Sequence, residues 1–135
     1  MTVQATGTFV VKGWDESTFA ELDGGGKLTK AHVAFGFDGD LAGEGGWEAV
    51  MCYRADGTAA FTGFQQTAGT LGGLKGSFVL RADGTFEDGE AKTSWNVVEG
   101  SATGELKGLR GAGVAISTGG EGGTFTFDYE LEQAS

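Results

Sequence analysis

The sequence predicts an all-β fold, an up-and-down antiparallel barrel of eight strands. Apolar residues recur with a period of two along most of the chain, which is typical of strands, and no helical periodicity of useful length is present. Short glycine-containing turns separate the strand-like runs, which favours sequential hairpins in a barrel over a two-sheet sandwich. Glycine fills 27 of the 135 positions and proline none, a composition that permits the sharp coiling of a small barrel.

Size and charge narrow the possible functions. The chain is expected to form one domain over residues 1–135, with a single core. Its net charge of −10 repels phosphate backbones and anionic lipids, so neither nucleic acid nor a membrane is an expected partner. The lone Cys52 suits a reducing compartment. With no signal-like N-terminal segment and no apolar run near ~18 residues, we expect a cytoplasmic protein.

The strands can be assigned in order along the chain. Gln4–Trp14 alternates apolar and polar residues, and Leu28–Phe37 does the same. The intervening Asp15–Gly26 is predicted to be a long loop, because its pattern is irregular and it ends in three glycines. After the central hairpins, the later predicted strands are Glu90–Val98, Thr103–Leu109, Gly113–Thr118 and Gly123–Leu131.

Four dipeptides are predicted to form two-residue type I′ turns, in which both residues need positive φ. They are Asp38-Gly39, Asp56-Gly57, Gly72-Gly73 and Asp83-Gly84, and Asp88-Gly89 is expected to mark a bulge. Strand register then follows by counting outward from each turn. The predicted pairs are Phe37 with Asp40, Val33 with Glu44, Glu48 with Gln65, and Gln65 with Leu80.

This register sorts the side chains into two faces, both substantially apolar. The face predicted to line the lumen carries Val33, Phe35, Phe37, Glu44, Glu48, Val50, Cys52, Phe61, Gln65, Phe78 and Leu80. The other carries His32, Trp47, Ala49, Met51, Tyr53, Thr62, Phe64, Gln66, Val79 and Arg81. An apolar outer face needs a cover, so we expect a homodimer or small homo-oligomer that buries Trp47, Met51, Tyr53 and Phe64.

Glu48 is the candidate catalytic residue. A carboxylate in an apolar cavity loses hydration, which raises its pKa and lets it exchange protons near neutral pH. Alternatively, Glu48 lies at the barrel mouth or bonds Gln65 and a backbone amide, and Glu44 lies on a solvated rim. The predicted ligand-binding residues are Gln65, Phe35, Phe37, Glu44, Val50, Phe61, Phe78 and Leu80.

No metal or cofactor is expected. One histidine and one cysteine do not make a zinc site without mostly carboxylate ligands. Asp38 and Asp40 with Glu44 lack the length of a calcium loop.

Several motifs are similar to those of a known bacterial family. They are Trp14-Asp15-Glu16, Lys27-Leu28-Thr29, and the Gly-x-Leu-x-Gly segments that begin at Gly39, Gly69 and Gly104. The chain resembles the domain of unknown function 3224 family over nearly its whole length. That resemblance implies a barrel like that of plant allene oxide cyclase and the dirigent proteins, and it implies self-association. It implies no activity, and Gln65 and Arg81 replace a glutamate and a glutamine that family members often carry.

Two functional hypotheses follow. The first is a cofactor-independent isomerase or cyclase that folds a hydrophobic, oxygenated substrate in the lumen, with Glu48 handling the proton and Gln65 orienting Glu48. The alternative is a non-catalytic carrier or binding barrel for a small apolar ligand. Both hypotheses make a small hydrophobic molecule the partner, and fold analogy alone favours the first.

Overall fold

The computed structural model describes residues 2–118 and 121–131, which form nine β-strands. The strands are β1 (Val3–Glu21), β2 (Lys27–Gly39), β3 (Leu41–Tyr53), β4 (Ala59–Leu71), β5 (Leu74–Glu87), β6 (Glu90–Val97), β7 (Thr103–Gly104), β8 (Leu109–Thr118) and β9 (Gly122–Leu131). Within this described part of the chain, no helix is long and apolar enough to cross a membrane.

Eight long strands close into a barrel. Their order is β4-β3-β2-β1-β9-β8-β6-β5, and pairing of β4 with β5 closes the ring. All neighbours are antiparallel, and the two-residue β7 adds to β5 beyond the end of β6. The predicted up-and-down eight-stranded barrel is therefore confirmed.

The first strand is longer than predicted, so the assignment of 15–26 to a long loop is wrong for 15–21 and correct only for 22–26. β1 continues along β2 until Glu21 pairs with Lys27. Bulges between Val11 and Gly13 and between Thr18 and Ala20 shift the register twice. An extra residue at a bulge interrupts the period of two, which is why the sequence pattern looked irregular here.

The turn at Gly72-Gly73 is confirmed. Both glycines have positive φ, at 57° and 85°, and Leu71 pairs with Leu74 across them. The predicted register of β4 and β5 therefore holds, and Gln65 pairs with Leu80.

The turn predicted at Asp38-Gly39 is wrong. Both residues continue β2 along β1, where Gly39 pairs with Gly7. The chain reverses later, so Phe37 pairs with Gly43 and Val33 with Trp47. That displacement is an odd number of residues, and it moves every side chain of β3 to the opposite face from the predicted one.

The loop at Asp56-Gly57 has three residues instead of two. The Arg54 amide donates to the Thr58 carbonyl at 2.8 Å, and Gly57 has a φ of 90°. A third residue in the left-handed region is the usual way to close such a hairpin. The register of β3 and β4 moves by one residue, so Trp47 and not Glu48 pairs with Gln65.

The predicted turn at Asp83-Gly84 is also wrong, because both residues lie inside β5. Asp83 forms an ion pair with Arg81 at 2.9 Å and accepts a hydrogen bond from Thr62 on β4. The actual turn is Asp88-Gly89, where φ is 53° and 77°, so the expected bulge there is a two-residue turn.

The segment predicted as a strand over 103–109 forms only the short β7 and then turns. The Leu106 amide donates to the Thr103 carbonyl at 3.2 Å, and the Leu109 amide donates to the Leu106 carbonyl at 3.0 Å. Leu106 is fully buried and packs beside Gly76, where a Cβ would lie 3.2 Å from its side chain. These turns therefore plug one end of the barrel.

The two ends of the lumen are packed differently. At the plugged end, Phe127 stacks between Phe78 and Tyr129, with ring centroids 6.2 and 5.7 Å apart. Leu41, Leu71, Leu106 and Leu109 fill the space around them. The opposite end, bounded by the loops 22–26, 54–58 and 88–89, has no such plug among the described residues, and we call it the open end.

Candidate functional site

An apolar cavity of about 220 Å³ lies at the open end, and we call it the mouth cavity. Inward-facing residues near the ends of seven strands form its wall: Val11, Trp14, Phe35, Trp47, Met51, Tyr53, Ala59, Phe61, Phe86, Ala91, Thr93 and Ser117. Half of these side chains are aromatic. Trp47 and Phe61 meet edge to face with centroids 5.2 Å apart, a geometry that stabilises the wall.

A carboxylate beside this cavity accepts three side-chain hydrogen bonds. Glu16 Oε2 accepts from Thr29 Oγ1 at 2.5 Å and from Tyr53 OH at 2.7 Å, and Glu16 Oε1 accepts from Trp14 Nε1 at 2.8 Å. The partners come from β1, β2 and β3, and Lys27 Nζ lies 5.2 Å from the centroid of the Tyr53 ring. We call these residues the Glu16 cluster. In this cluster, two aromatic residues from the wall of the mouth cavity, Trp14 and Tyr53, donate hydrogen bonds to the same carboxylate.

Burial is the largest single influence on the pKa of Glu16 and raises it. The hydrogen bonds from Thr29, Tyr53 and Trp14 and the charge of Lys27 together lower that pKa below its ordinary 4.5. A carboxyl group whose pKa is lower in the folded than in the unfolded protein stabilises the fold at pH values above its unfolded pKa. That contribution is lost as the pH falls through the folded value. Glu16 is therefore ionised at neutral pH.

Tyr53 shows the opposite shift. Burial, then the hydrogen bond to Glu16 and its negative charge, raise the pKa of Tyr53 from 10.0 to about 12. The neutral phenol is the favoured form, so its stabilising contribution is complete below pH 10.0 and is lost as the pH rises through about 12. At neutral pH Tyr53 thus donates its proton to Glu16 without releasing it.

The link between these two groups predicts the outcome of an alkaline titration. Replacing Glu16→Gln removes the negative charge but leaves the burial, so the Tyr53 pKa should fall from about 12 and stay above 10.0. Ultraviolet absorbance measures the ionisation, and subtracting the curve of Tyr53→Phe isolates this tyrosine from Tyr129. If the Tyr53 pKa were the same in the unaltered protein and in Glu16→Gln, the hydrogen bond between Tyr53 and Glu16 would be contradicted.

A second, smaller cavity of about 40 Å³ lies deeper in the lumen, and we call it the inner cavity. Its wall is Phe9, Phe35, Phe37, Trp47, Gln65, Ala82, Thr93, Trp95 and Ala115. Gln65 Nε2 donates to Thr67 Oγ1 at 3.3 Å, and both side chains are almost fully buried. The indole N–H of Trp47 is buried without a hydrogen-bond partner in the part of the chain that the structure describes.

Six of the predicted ligand-binding residues lie inside the barrel: Phe35, Phe37, Phe61, Gln65, Phe78 and Leu80. Phe35 and Phe61 line the mouth cavity, and Phe35, Phe37 and Gln65 line the inner cavity. Phe78 and Leu80 pack into the core and reach neither cavity. The predicted placement of these six is correct, while their role in binding stays a prediction.

Glu48, Glu44 and Val50 are corrected by the structure. The Glu48 side chain is 62% exposed and forms an ion pair with His32 on the outer surface. The Glu44 side chain is 78% exposed and pairs with Lys12 at 3.3 Å, and Val50 is 43% exposed. The shifted turns before and after β3 reversed its two faces, so the prediction of an internal Glu48 is wrong.

The same reversal changes the predicted assembly surface. Trp47, Met51 and Tyr53 line the mouth cavity, so they are not free to form an outer interface. Phe64 is on the outer surface as predicted and is 57% exposed. A homo-oligomer remains a prediction, but its interface would have to use outer residues such as Phe64 and Val50.

Sequence reasoning missed the Glu16 cluster as a site. Glu16 and Trp14 fall in the part of β1 whose bulges disturb the alternation, so no face could be assigned to them. One signal was present, because Trp14-Asp15-Glu16 and Lys27-Leu28-Thr29 are two of the motifs that carry the family resemblance. The structure brings these motifs together by pairing β1 with β2.

Among the described residues, no group of three or more His, Cys, Asp or Glu side chains is arranged to hold a metal ion.

Comparison with known proteins gives a consistent result. The sequence model of the family described as "Protein of unknown function (DUF3224)" matches residues 5–129. The fold is similar to the 1.84 Å crystal structure of a protein of unknown function from the DUF3224 family of Shewanella oneidensis MR-1. The TM-score is 0.80 and the sequence identity 27%, over 98% of this chain and 100% of that one. No curated protein sequence matches the chain.

Proposed function

The chain belongs to the DUF3224 family of proteins of unknown function, and we propose that it binds a small, mostly apolar molecule in the mouth cavity. One observation carries this proposal, the cavity of about 220 Å³ with an almost entirely apolar wall. Protein interiors rarely leave voids larger than a water molecule. At the plugged end, Phe127, Leu41 and Leu106 are fully buried. An aromatic cavity left open at one end is therefore a candidate binding site.

The volume limits the size of the ligand. A cavity of about 150 Å³ accommodates benzene, so about 220 Å³ suits a molecule of roughly nine non-hydrogen atoms. The six aromatic rings in the wall favour a flat ligand, which can meet them by stacking or edge contacts.

The Glu16 cluster favours binding over catalysis as the main role. A general acid or base works best with a pKa near the operating pH. The lowered pKa of Glu16 makes it a weak base, and the raised pKa of Tyr53 makes it a weak acid. We assign the cluster a positioning role, in which Glu16 holds the Trp14 and Tyr53 rings at the edge of the cavity.

An isomerase or cyclase acting on a hydrophobic, oxygenated substrate is the second candidate. The cavity would then act by restricting the conformation of the substrate. Turnover that persists in Glu16→Gln but disappears when the cavity is filled would favour this candidate.

Filling the cavity tests the proposed function. Ala59 is 2% exposed and lines the mouth cavity, while the adjacent Ala60 faces the outside of the same strand. Ala59→Phe should place a ring in the cavity and weaken the binding of α-methylstyrene, a flat hydrocarbon of suitable size, by at least about tenfold. The matched control Ala60→Phe should change the affinity by less than about twofold.

Isothermal calorimetry or a titration followed by nuclear magnetic resonance measures both affinities, and circular dichroism checks that each variant is folded. Failure of the unaltered protein to bind α-methylstyrene, or equal binding by the two variants, would reject the mouth cavity as the site.

A further inference from the structure

We propose that the molecule bound in the mouth cavity carries one neutral oxygen at its inner end, and that this oxygen accepts a hydrogen bond from the hydroxyl group of Thr93. This inference rests on the proposed function and specifies the class of ligand. The expected ligand is a neutral, flat, mostly apolar compound with a single carbonyl, ether or hydroxyl oxygen.

The Thr93 side chain points into the lumen and borders both cavities. Its neighbours in β6, Lys92 and Ser94, are exposed on the outer surface, so the alternation of the strand turns Thr93 inward. Thr93 lines the mouth cavity and also the inner cavity. A ligand that enters from the open end therefore meets Thr93 where the two cavities adjoin.

The Thr93 hydroxyl is an accessible polar group without a protein partner. Its Oγ1 forms no hydrogen bond with any residue that the structure describes. Unlike the Nε1 of Trp47, this oxygen is not sealed from the accessible surface. Because the side chain lies inside the barrel, the space that the hydroxyl faces is that of the two cavities. A hydroxyl inside a protein normally has a partner, and the oxygen of a ligand can supply it here.

The residues beside Thr93 explain why the hydroxyl has no protein partner. Thr93 pairs with Gly84 on β5 and with Ala115 on β8, and neither has a polar side chain. The adjacent inward-facing residues of β6 are Ala91 and Trp95. An indole nitrogen only donates, so these neighbours offer the hydroxyl proton no side-chain acceptor. The missing partner is therefore an acceptor.

Size and charge define the acceptor further. The inner cavity has a volume of about 40 Å³, and a group the size of a water molecule needs roughly 10–15 Å³. A single oxygen fits there, while the apolar part of the ligand stays in the mouth cavity. Glu16 is ionised beside the mouth cavity and the chain carries a net charge of −10, so a carboxylate or phosphate would be repelled.

Two compounds of the same shape test the inference. Acetophenone has a carbonyl where α-methylstyrene has a methylene group, so the pair differs mainly in the acceptor. The selectivity is the dissociation constant of α-methylstyrene divided by that of acetophenone. Thr93→Val keeps the shape of the side chain but removes the donor, so the selectivity should fall by about fivefold. Thr93→Ser keeps the hydroxyl and should retain the selectivity within about twofold.

Ser117 provides the matched control. Its hydroxyl also belongs to the wall of the mouth cavity, but it already donates to the Gly122 carbonyl at 2.7 Å. Ser117→Ala should therefore change the selectivity by less than about twofold. Circular dichroism checks the fold of each variant, and Thr93→Ala replaces Thr93→Val if the latter does not fold.

A second readout is the carbonyl stretching band of bound acetophenone, measured by infrared difference spectroscopy. A hydrogen bond lowers this frequency, so the band should lie below its position in hexane for the unaltered protein and return toward that position in Thr93→Val. If neither compound binds, the proposed function itself fails. If both bind but Thr93→Val leaves the selectivity unchanged, as a water retained on Thr93 would cause, this inference alone is overturned. A band at the hexane position in the unaltered protein would overturn it as well.

Discussion

Replacing Phe127 with alanine is expected to lower the free energy of unfolding by about 3–5 kcal/mol. Phe127 is fully buried, stacks on Phe78 and Tyr129, and meets Trp95 at a centroid distance of 6.3 Å. Truncation removes the transfer free energy of the ring and leaves a cavity among side chains that barrel strands hold in place. Urea denaturation followed by circular dichroism measures the difference.

Phe19 provides the matched control for this prediction. It is 58% exposed, so Phe19→Ala should change the free energy of unfolding by less than about 0.5 kcal/mol. A small loss for Phe127→Ala would mean that the plugged end is not packed as described.

The fold class was predictable from the sequence because it does not depend on the exact register of any one hairpin. Period-two alternation and frequent turns indicate a meandering sheet whatever the register of each hairpin. The strand register was predictable only at Gly72-Gly73. Both glycines have positive φ, and together they form the whole two-residue loop between β4 and β5. The hairpin of β4 and β5 follows from it, which is why Phe61 and Gln65 were placed inside correctly.

The register of the Asp-Gly hairpins was not predictable because the dipeptide occurs in three different settings. Asp88-Gly89 is a two-residue turn, Asp56-Gly57 lies in a three-residue loop, and Asp83-Gly84 is inside a strand. One residue of slip reverses a whole strand. Both faces of β3 contain apolar residues, so hydrophobicity did not reveal the error that put Glu48 inside and Trp47 outside.

The Glu16 cluster could not be derived from periodicity. Two β-bulges separate the alternation of β1 into pieces, and the bond from Tyr53 to Glu16 spans 37 positions of the sequence. Only the barrel brings these residues together. The resemblance motifs marked Glu16 and Thr29, but the role of these residues became visible once β1 was seen to pair with β2.

Glu16→Ala is expected to lower the free energy of unfolding by about 2–3 kcal/mol at neutral pH. Hydrogen bonds to a charged group contribute more than neutral ones, and the change leaves Tyr53 and Thr29 without their acceptor. Thr29 is only 2% exposed, so water cannot readily replace the lost bond. The loss should shrink in acid, because protonation of Glu16 removes the same contribution from the unaltered protein.

The measurement that tests the placement of the site most directly is the unfolding free energy of Glu16→Ala beside that of Glu48→Ala, in urea at neutral pH. Both changes remove one glutamate, but Glu48 forms an exposed ion pair with His32 on the outer surface. The barrel described above predicts a loss of about 2–3 kcal/mol for Glu16→Ala and of no more than about 1 kcal/mol for Glu48→Ala. Equal losses, or a larger loss for Glu48→Ala, would contradict the placement of Glu16 in a buried hydrogen-bonded cluster and of Glu48 on the outer surface.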